Sequence, residues 1–405
     1  MKIAPFQGLR PKEGNAHLIS APPYDVVSRD EAFAIAKDNP LSLLHVSRAE
    51  IDLAPTVDPY SSVVYDTAVK NFKKLQDEGH LVRETSSVLY VYQQQVGSHT
   101  QRGVTAVVRV ADYDADIIKK HEKTRQDKED DRTRLTMAMR ANAGPVFLTY
   151  RQNAEIDALV NKAASEAPLF DVTAPDGVRH TVWKVAAPAD LTRAFEAIPC
   201  SYIADGHHRA ASAARVGREL RSKNPRHDGT EPYNWFMAVL FAGNQLNILP
   251  YNRLIKDLNG HATAEFLKKL STIATVTPTT IAKPTKSGQA CLYLEGNWYL
   301  VELPIPVSSD PVSKLDVSVL QEKVLAPLLG IDDPRTSKRI DFVGGIRGTD
   351  YLVKAVDSGE AKLAWSLYPV TVDQLMDISD AGQIMPPKST WFEPKLRSGF
   401  FMHTF

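Results

Sequence analysis

The chain has 405 residues, 43% hydrophobic and 24% charged, with 48 Lys+Arg against 48 Asp+Glu. Length suits two domains, or three, and composition suits a globular protein with a full core. Zero net charge excludes broad attraction to nucleic acid or an anionic membrane, so any anion must be held by a local cluster.

Two cysteines, Cys200 and Cys291, exclude a disulfide framework or a Cys-rich zinc site and point to a reducing cytoplasm. The first residues show no signal-peptide pattern, and no stretch approaches the ~20 apolar residues of a membrane span. A soluble cytoplasmic protein is expected.

Ser28 and Glu31 form a capping box for a helix over 29–38. Helical periodicity over 60–78 ends at Gly79, a C-cap glycine. Residues 88–95 and 103–113 are rich in β-branched and aromatic side chains and read as strands joined through Gly97-Ser98-His99. A charged helix over 128–140, a short buried strand over 146–150 and a helix over 154–167 follow. Asp176-Gly177 marks a hairpin between 169–172 and 180–183, and 191–197 reads as a helix.

An apolar run at 201–204 passes through Asp205 and Gly206 into an Ala-rich helix over 210–222, then a strand over 235–241. Composition shifts at Gly243-Asn244-Gln245. Beyond it come a hairpin around Gly296-Asn297, a helix capped by Asp316 and running to 329, a strand over 361–367 and a helix over 372–378. Residues 278–287 are the best linker candidate. The expected layout is α/β (α+β), with a mixed-sheet domain over 1–243 and a smaller α+β domain over 244–405.

Asp205-Gly206-His207-His208-Arg209 is the most informative run. Glycine allows a tight turn and close approach to a ligand. The following helix offers unpaired N–H groups and a positive dipole end, an anion site. One carboxylate, two imidazoles and a guanidinium surround it, a set able to hold phosphate, move a proton or bind a metal. A single histidine would ordinarily satisfy a loop carbonyl; five such residues in one turn favour chemistry.

His121-Glu122-Lys123-Thr124 lacks the second histidine of a zinc protease, because Arg125 stands there. Asp131, Arg132 and Arg134 follow at near-helical spacing, and a solvated face explains them equally well. Pro22-Pro23-Tyr24-Asp25 is a stiff turn that either aims Tyr24 and Asp25 into a cleft or only precedes the Ser28 cap. His45, Arg48 and Glu50 lie in an apolar run, where an Arg48–Glu50 ion pair is the plain account. Pro386-Pro387-Lys388-Ser389-Thr390 carries half of a phosphate loop without the glycine cradle; it is either a structured tail or a donor of Lys388 and two hydroxyls across a domain interface.

Pro22-Pro23-Tyr24-Asp25-Val26, Asn39-Pro40, Arg102-Gly103, His121-Glu122-x-Thr124, Asp131-Arg132, the Asp205–Arg209 run and Pro386–Thr390 occur in this order in a widespread bacterial and archaeal "domain of unknown function" family. The chain resembles that family over essentially its whole length. The family in turn resembles the ParB/sulfiredoxin superfamily, in which a related loop binds phosphates and some members are free-serine kinases. The resemblance implies a phosphoryl-transfer enzyme acting on a small molecule, most like the kinases that make O-phosphoserine from free L-serine with pyrophosphate, or ADP/ATP, as donor.

Carried onto this chain, Arg209, Gly206 and the loop N–H groups neutralise the donor. His207 and His208 bind phosphate oxygens or shuttle a proton. Asp205 orients an imidazole or binds Mg²⁺. Glu122 is the candidate base, with Glu50 and Asp25 behind it. Tyr24, Asp25, His45, Arg48, Arg102, His121, Thr124, Arg132, Lys388, Ser389 and Thr390 complete the expected phosphate- and substrate-binding set, with the 385–399 segment returning to the active site. The implied partners are a serine-like substrate and a phosphoryl donor, with no nucleic acid and no membrane; a homo-oligomer is compatible. Two other readings stay open: a nucleotide-binding ParB-like regulator without net chemistry, and a metal-dependent phosphohydrolase.

Overall fold

In the computed structural model, which describes residues 1–405, the apolar runs become strands of a nine-stranded mixed sheet. Its strands are β1 (Ile3–Ala4), β2 (Tyr90–Val96), β3 (His99–Arg109), β4 (Ile118–Lys119), β5 (Val146–Tyr150), β6 (Phe170–Thr173), β7 (Arg179–Lys184), β8 (Ser201–Asp205) and β9 (Trp235–Ala242). Their order is β4-β8-β5-β9-β3-β2-β7-β6, with β1 beside β3. The β4–β8 and β5–β9 pairs are parallel and the others antiparallel. β5 is buried throughout and β8 almost so, as expected of central strands covered on both faces.

Four helices frame the side of interest: α1 (Arg29–Ala36), α2 (Ser62–Asp77), α3 (Gln126–Met139) and α4 (His207–Lys223). The capping box of α1 forms as read, Ser28 accepting from the Glu31 N–H and Glu31 from the Ser28 N–H. One apolar cluster joins Leu148, Ile203 and Leu240 of the sheet to Ala210 and Ala214 of α4. A second gathers Ala32, Phe72 and Leu135 of α1, α2 and α3 around Leu9 and Met402.

The first unit comprises residues 1–246 together with 394–405, and the second residues 247–393. This differs from the expected second domain over 244–405, because the last twelve residues fold with the first unit: Ala21 pairs with Ser398, Leu9 with Met402, and His403 with Asn142. The second unit holds a six-stranded sheet with all strands antiparallel. Residues 278–287, expected as a linker, lie inside it: Pro278 and Thr279 end the strand Thr275–Thr279, and the rest connects it to Gln289–Leu294.

Other local readings shift for physical reasons. The strand expected over 103–113 begins at His99 and gives way to a helical turn, Val110–Asp114. The second-unit hairpin turns at Glu295-Gly296, both at positive φ, because Leu294 pairs with Asn297. Asp316 does not cap: Leu315 holds the N-cap position, and the Asp316 carboxylate accepts from Ser287 Oγ and the Gly288 N–H. Both cysteines are free thiols, and no helix is long and apolar enough to cross a membrane.

Candidate active site

β8 hands the chain to α4 through Gly206, which sits at φ 91°, the left-handed region glycine favours. A Cβ there would lie 2.9 Å from Arg209 Nε, so glycine also makes room for the guanidinium folded back over the turn. No side chain caps α4. Its first N–H groups, at His207, His208 and Arg209, therefore lack intrahelical acceptors and point where an anion would sit.

Asp205 is the hub. Arg209 Nη2 donates to its Oδ2 at 2.6 Å, and Lys395 Nζ to its Oδ1 at 3.1 Å. Burial alone would raise the Asp205 pKa, but Lys395 and Arg209 hold it well below the usual carboxylate range. Arg209 also donates through Nη1 to the Pro145 carbonyl, and its Nη2 lies 3.9 Å from Asp25. Burial would lower its pKa, yet Asp25 and Asp205 raise it. Its buried Nε has no protein partner. Gly144, adjoining Pro145, is close-packed too: a Cβ there would meet Ser398 Oγ at 2.8 Å.

One wing of the hub is the proline-stiffened turn. Tyr24 is buried, with the Arg132 guanidinium 4.1 Å over its ring, and its carbonyl accepts from Arg48. Burial pushes the Tyr24 phenol far up, and Asp25 adds to this, so it stays a neutral donor. Arg132 is gripped by Asp131 and donates to the Ser47 carbonyl, while Arg48 pairs with Glu50 at 2.8 Å. Every guanidinium here thus meets a carboxylate. A small cleft opens against this wing, lined by Tyr24, Ser47, Arg132, Arg209, Ser212 and Ser398 among others.

The other wing is histidine. His121 and His207 are 2% and 6% exposed, with ring centroids 4.5 Å apart at 87°. Burial lowers the His121 pKa to about 4 against the pull of Asp205, and lowers that of His207 well below 6.5 with help from His121. Both rings are neutral at pH 7. His121 Nδ1 and His207 Nε2 are buried without partners, each a cost of about 1–3 kcal/mol unless something fills the gap. The ligand atoms of His121, Glu122 and His207 all lie within 4.8 Å of one another. His208 is half-buried, and its Nε2 accepts from the Arg125 N–H at 3.0 Å. In its neutral form Nδ1 therefore carries the proton and is a donor.

The remaining expected residues serve local structure or belong to the second unit. His45 Nδ1 sits 2.7 Å from Asp52, and its Nε2 faces the Ala36 and Asn39 carbonyls. Arg102 donates to Gln93 and Asn161, and Gly103 beside it lets β3 approach β9, where a Cβ would meet the Leu240 carbonyl at 2.8 Å. Thr124 donates to Glu129. Lys388, Ser389 and Thr390 belong to the second unit, where Lys388 covers the Tyr251 ring and its carbonyl accepts from Arg253, and Ser389 donates to the Pro386 carbonyl. Asp205, expected as a metal ligand, has cations on both oxygens.

Sequence reasoning passed over Lys395 and the Pro145 carbonyl. Lys395 follows Pro394 in the segment already singled out, and that proximity to a rigid proline turn was the one available signal. Its carbonyl accepts from Gln94 on β2, which fixes the lysine's backbone.

Among solved structures, a conserved hypothetical protein from Pyrococcus furiosus is similar at 13% identity, over 73% of this chain and 93% of that one, with a TM-score of 0.35. A free serine kinase in complex with AMP is similar at 13% identity, over 71% and 86%, with a TM-score of 0.35. SbnI with a C-terminal truncation, from Staphylococcus aureus, is similar at 12% identity, over 73% and 85%, with a TM-score of 0.36. No curated protein matches. The family model described as "Protein of unknown function (DUF1015)" matches residues 3–318, a span that holds both wings and the Asp205 turn but not Lys395. The chain belongs to the DUF1015 family.

Proposed function

We propose that this protein transfers a phosphoryl group to the hydroxyl of a small molecule, free L-serine, from pyrophosphate or from ADP or ATP. The observation that carries the reading is the turn at 205–209: two cations and an uncapped helix start converge beside a cleft lined by Arg209. Phosphoryl transfer asks for positioning and charge neutralisation rather than covalent work by the protein. The choice of serine and pyrophosphate rests on the family resemblance.

In this reading the donor phosphate meets the first N–H groups of α4, the Nδ1–H of His208, and Arg209. The acceptor lies in the cleft between Tyr24, Ser47 and Ser212. Three carboxylates are candidates for the base. Glu50 is held by Arg48, and Glu122 stands with the two buried histidines. Asp25, a third exposed and 3.9 Å from Arg209, faces the hub, and we assign it the acceptor's proton. The acceptor oxygen then bonds to phosphorus as the bond to the bridging oxygen breaks, and the departing phosphate leaves with the electron pair. Mg²⁺, a hard ion, suits the donor's phosphate oxygens; Asp205, with a cation at each oxygen, does not suit it.

The test is ³¹P NMR of the full chain with L-serine and each donor in turn. A phosphoserine resonance is the expected result. Its absence with all three donors at high enzyme removes the reading, and orthophosphate without a phosphomonoester would assign a hydrolase instead.

A further inference from the structure

We infer that His121, Glu122 and His207 form a binding site for one divalent cation of the zinc class, separate from any Mg²⁺ carried by a phosphoryl donor. Two imidazole nitrogens, His121 Nδ1 and His207 Nε2, are buried and unpartnered, and one ligand atom from each of His121, Glu122 and His207 lies within 4.8 Å of the other two. The rings belong to residues 2% and 6% exposed, so bulk solvent does not reach them. Two unpaired nitrogens in one place are ordinarily eliminated by packing or hydrogen bonding. A cation accepting both lone pairs removes the cost in one step.

The donor set chooses the metal. Two nitrogens and one carboxylate suit Zn²⁺, with Mn²⁺ bound more weakly in the usual affinity order, and suit the oxygen-seeking Mg²⁺ poorly. Zinc–nitrogen bonds of about 2.0–2.1 Å draw the ligand atoms closer than the widest separation present. The two histidines are buried and Glu122 is exposed, so closure falls to the Glu122 side chain, which exchanges its present partner for the cation.

The surroundings fit as well. The backbone of Ile203 on β8 faces the His121 ring, and an outer partner of this kind would help orient the ring toward a metal. Three protein ligands leave a fourth position open. His207 is the first residue of α4, so a ligand there would sit beside the helix start. An anion can then bridge the cation and the α4 N–H groups. That role, as distinct from the site itself, rests on the phosphoryl-transfer reading and identifies the anion as a phosphate oxygen.

The experiment uses untagged full-length protein, stripped with chelator and titrated with ZnCl₂, MnCl₂ and MgCl₂ by calorimetry, without donor or acceptor. One equivalent of Zn²⁺ bound at least a hundredfold more tightly than Mg²⁺ is expected. Glu122→Gln, a surface change that leaves the core intact, should weaken Zn²⁺ binding at least tenfold, and His207→Gln should abolish it. Co²⁺ in place of Zn²⁺ should give a visible ligand-field spectrum that Glu122→Gln shifts. Absence of stoichiometric Zn²⁺ binding overturns the inference, as does binding unchanged in the folded Glu122→Gln protein. Because no phosphoryl substrate is present, zinc bound by a protein that makes no phosphoserine sinks the kinase reading alone, and the reverse result sinks only this one.

Discussion

Gly206→Ala is the sharpest perturbation of the Asp205 turn. An alanine forced to φ 91° costs roughly 1–2 kcal/mol in backbone strain. Its Cβ would lie 2.9 Å from Arg209 Nε and 3.0 Å from Cζ, so the guanidinium must move. Moving it breaks the 2.6 Å bond to Asp205, a charged hydrogen bond worth about 1.5–3 kcal/mol. Together these predict a loss of about 2.5–5 kcal/mol.

At about 2–4 °C per kcal/mol for a unit of this size, melting should fall by roughly 5–20 °C. Gly14→Ala is the control, because Gly14 has φ 84° but nothing within 4 Å of a Cβ. It carries the strain without the collision, and its melting point should fall by only about 2–8 °C. Differential scanning calorimetry on both variants isolates the collision. ³¹P NMR of phosphoserine formation should show Gly206→Ala more than a hundredfold slower and Gly14→Ala near wild type. If the two alanines cost the same and Gly206→Ala turns over normally, the close approach of Arg209 has no consequence and the reasoning fails.

Arg209→Lys keeps the charge but cannot reach Asp205 and the Pro145 carbonyl together; turnover should drop about a hundredfold or more, and a drop under threefold would remove Arg209 from the site. Arg102→Ala should leave turnover within threefold of wild type, since its partners are Gln93 and Asn161; a large loss in a folded variant, by the same NMR assay, would restore Arg102 to the chemistry. The metal-free protein should lose stability as pH falls from 6.5 towards 4. His121 titrates near 4 when folded and near 6.5 when unfolded, so the unfolded chain binds the extra proton across that window, at about 1.4 kcal/mol per pH unit. Urea unfolding at stepped pH should show this slope with His207 adding to it, and a flat profile would mean the rings are not buried as described.

The frame of the site is legible in the sequence because it is local. A strand, one glycine and a helix follow each other in seven or eight residues, and propensity alone marks the Asp205 turn. The Pro22–Pro23 turn announces its rigidity in the same way. What brings His121 to His207 is the parallel pairing of β4 with β8, which no local pattern encodes. Lys395 was harder still: its partner lies 190 residues away, and nothing in the composition separates it from Lys388. His45, Arg102 and Thr124 stand among motif residues in chain order, yet in space their polar atoms serve a neighbouring carboxylate, strand or helix start.

The Asp205–Lys395 bond also has a consequence in time. At ~5–20 residues per second, the 190 residues between them take a ribosome roughly 10–40 s to add. Through that interval the newborn chain can assemble its sheet and seat Arg209, but it lacks its second cation. The last ion of the pocket is delivered late, after the whole second unit has emerged, so competence for chemistry trails the folding of the unit that houses it.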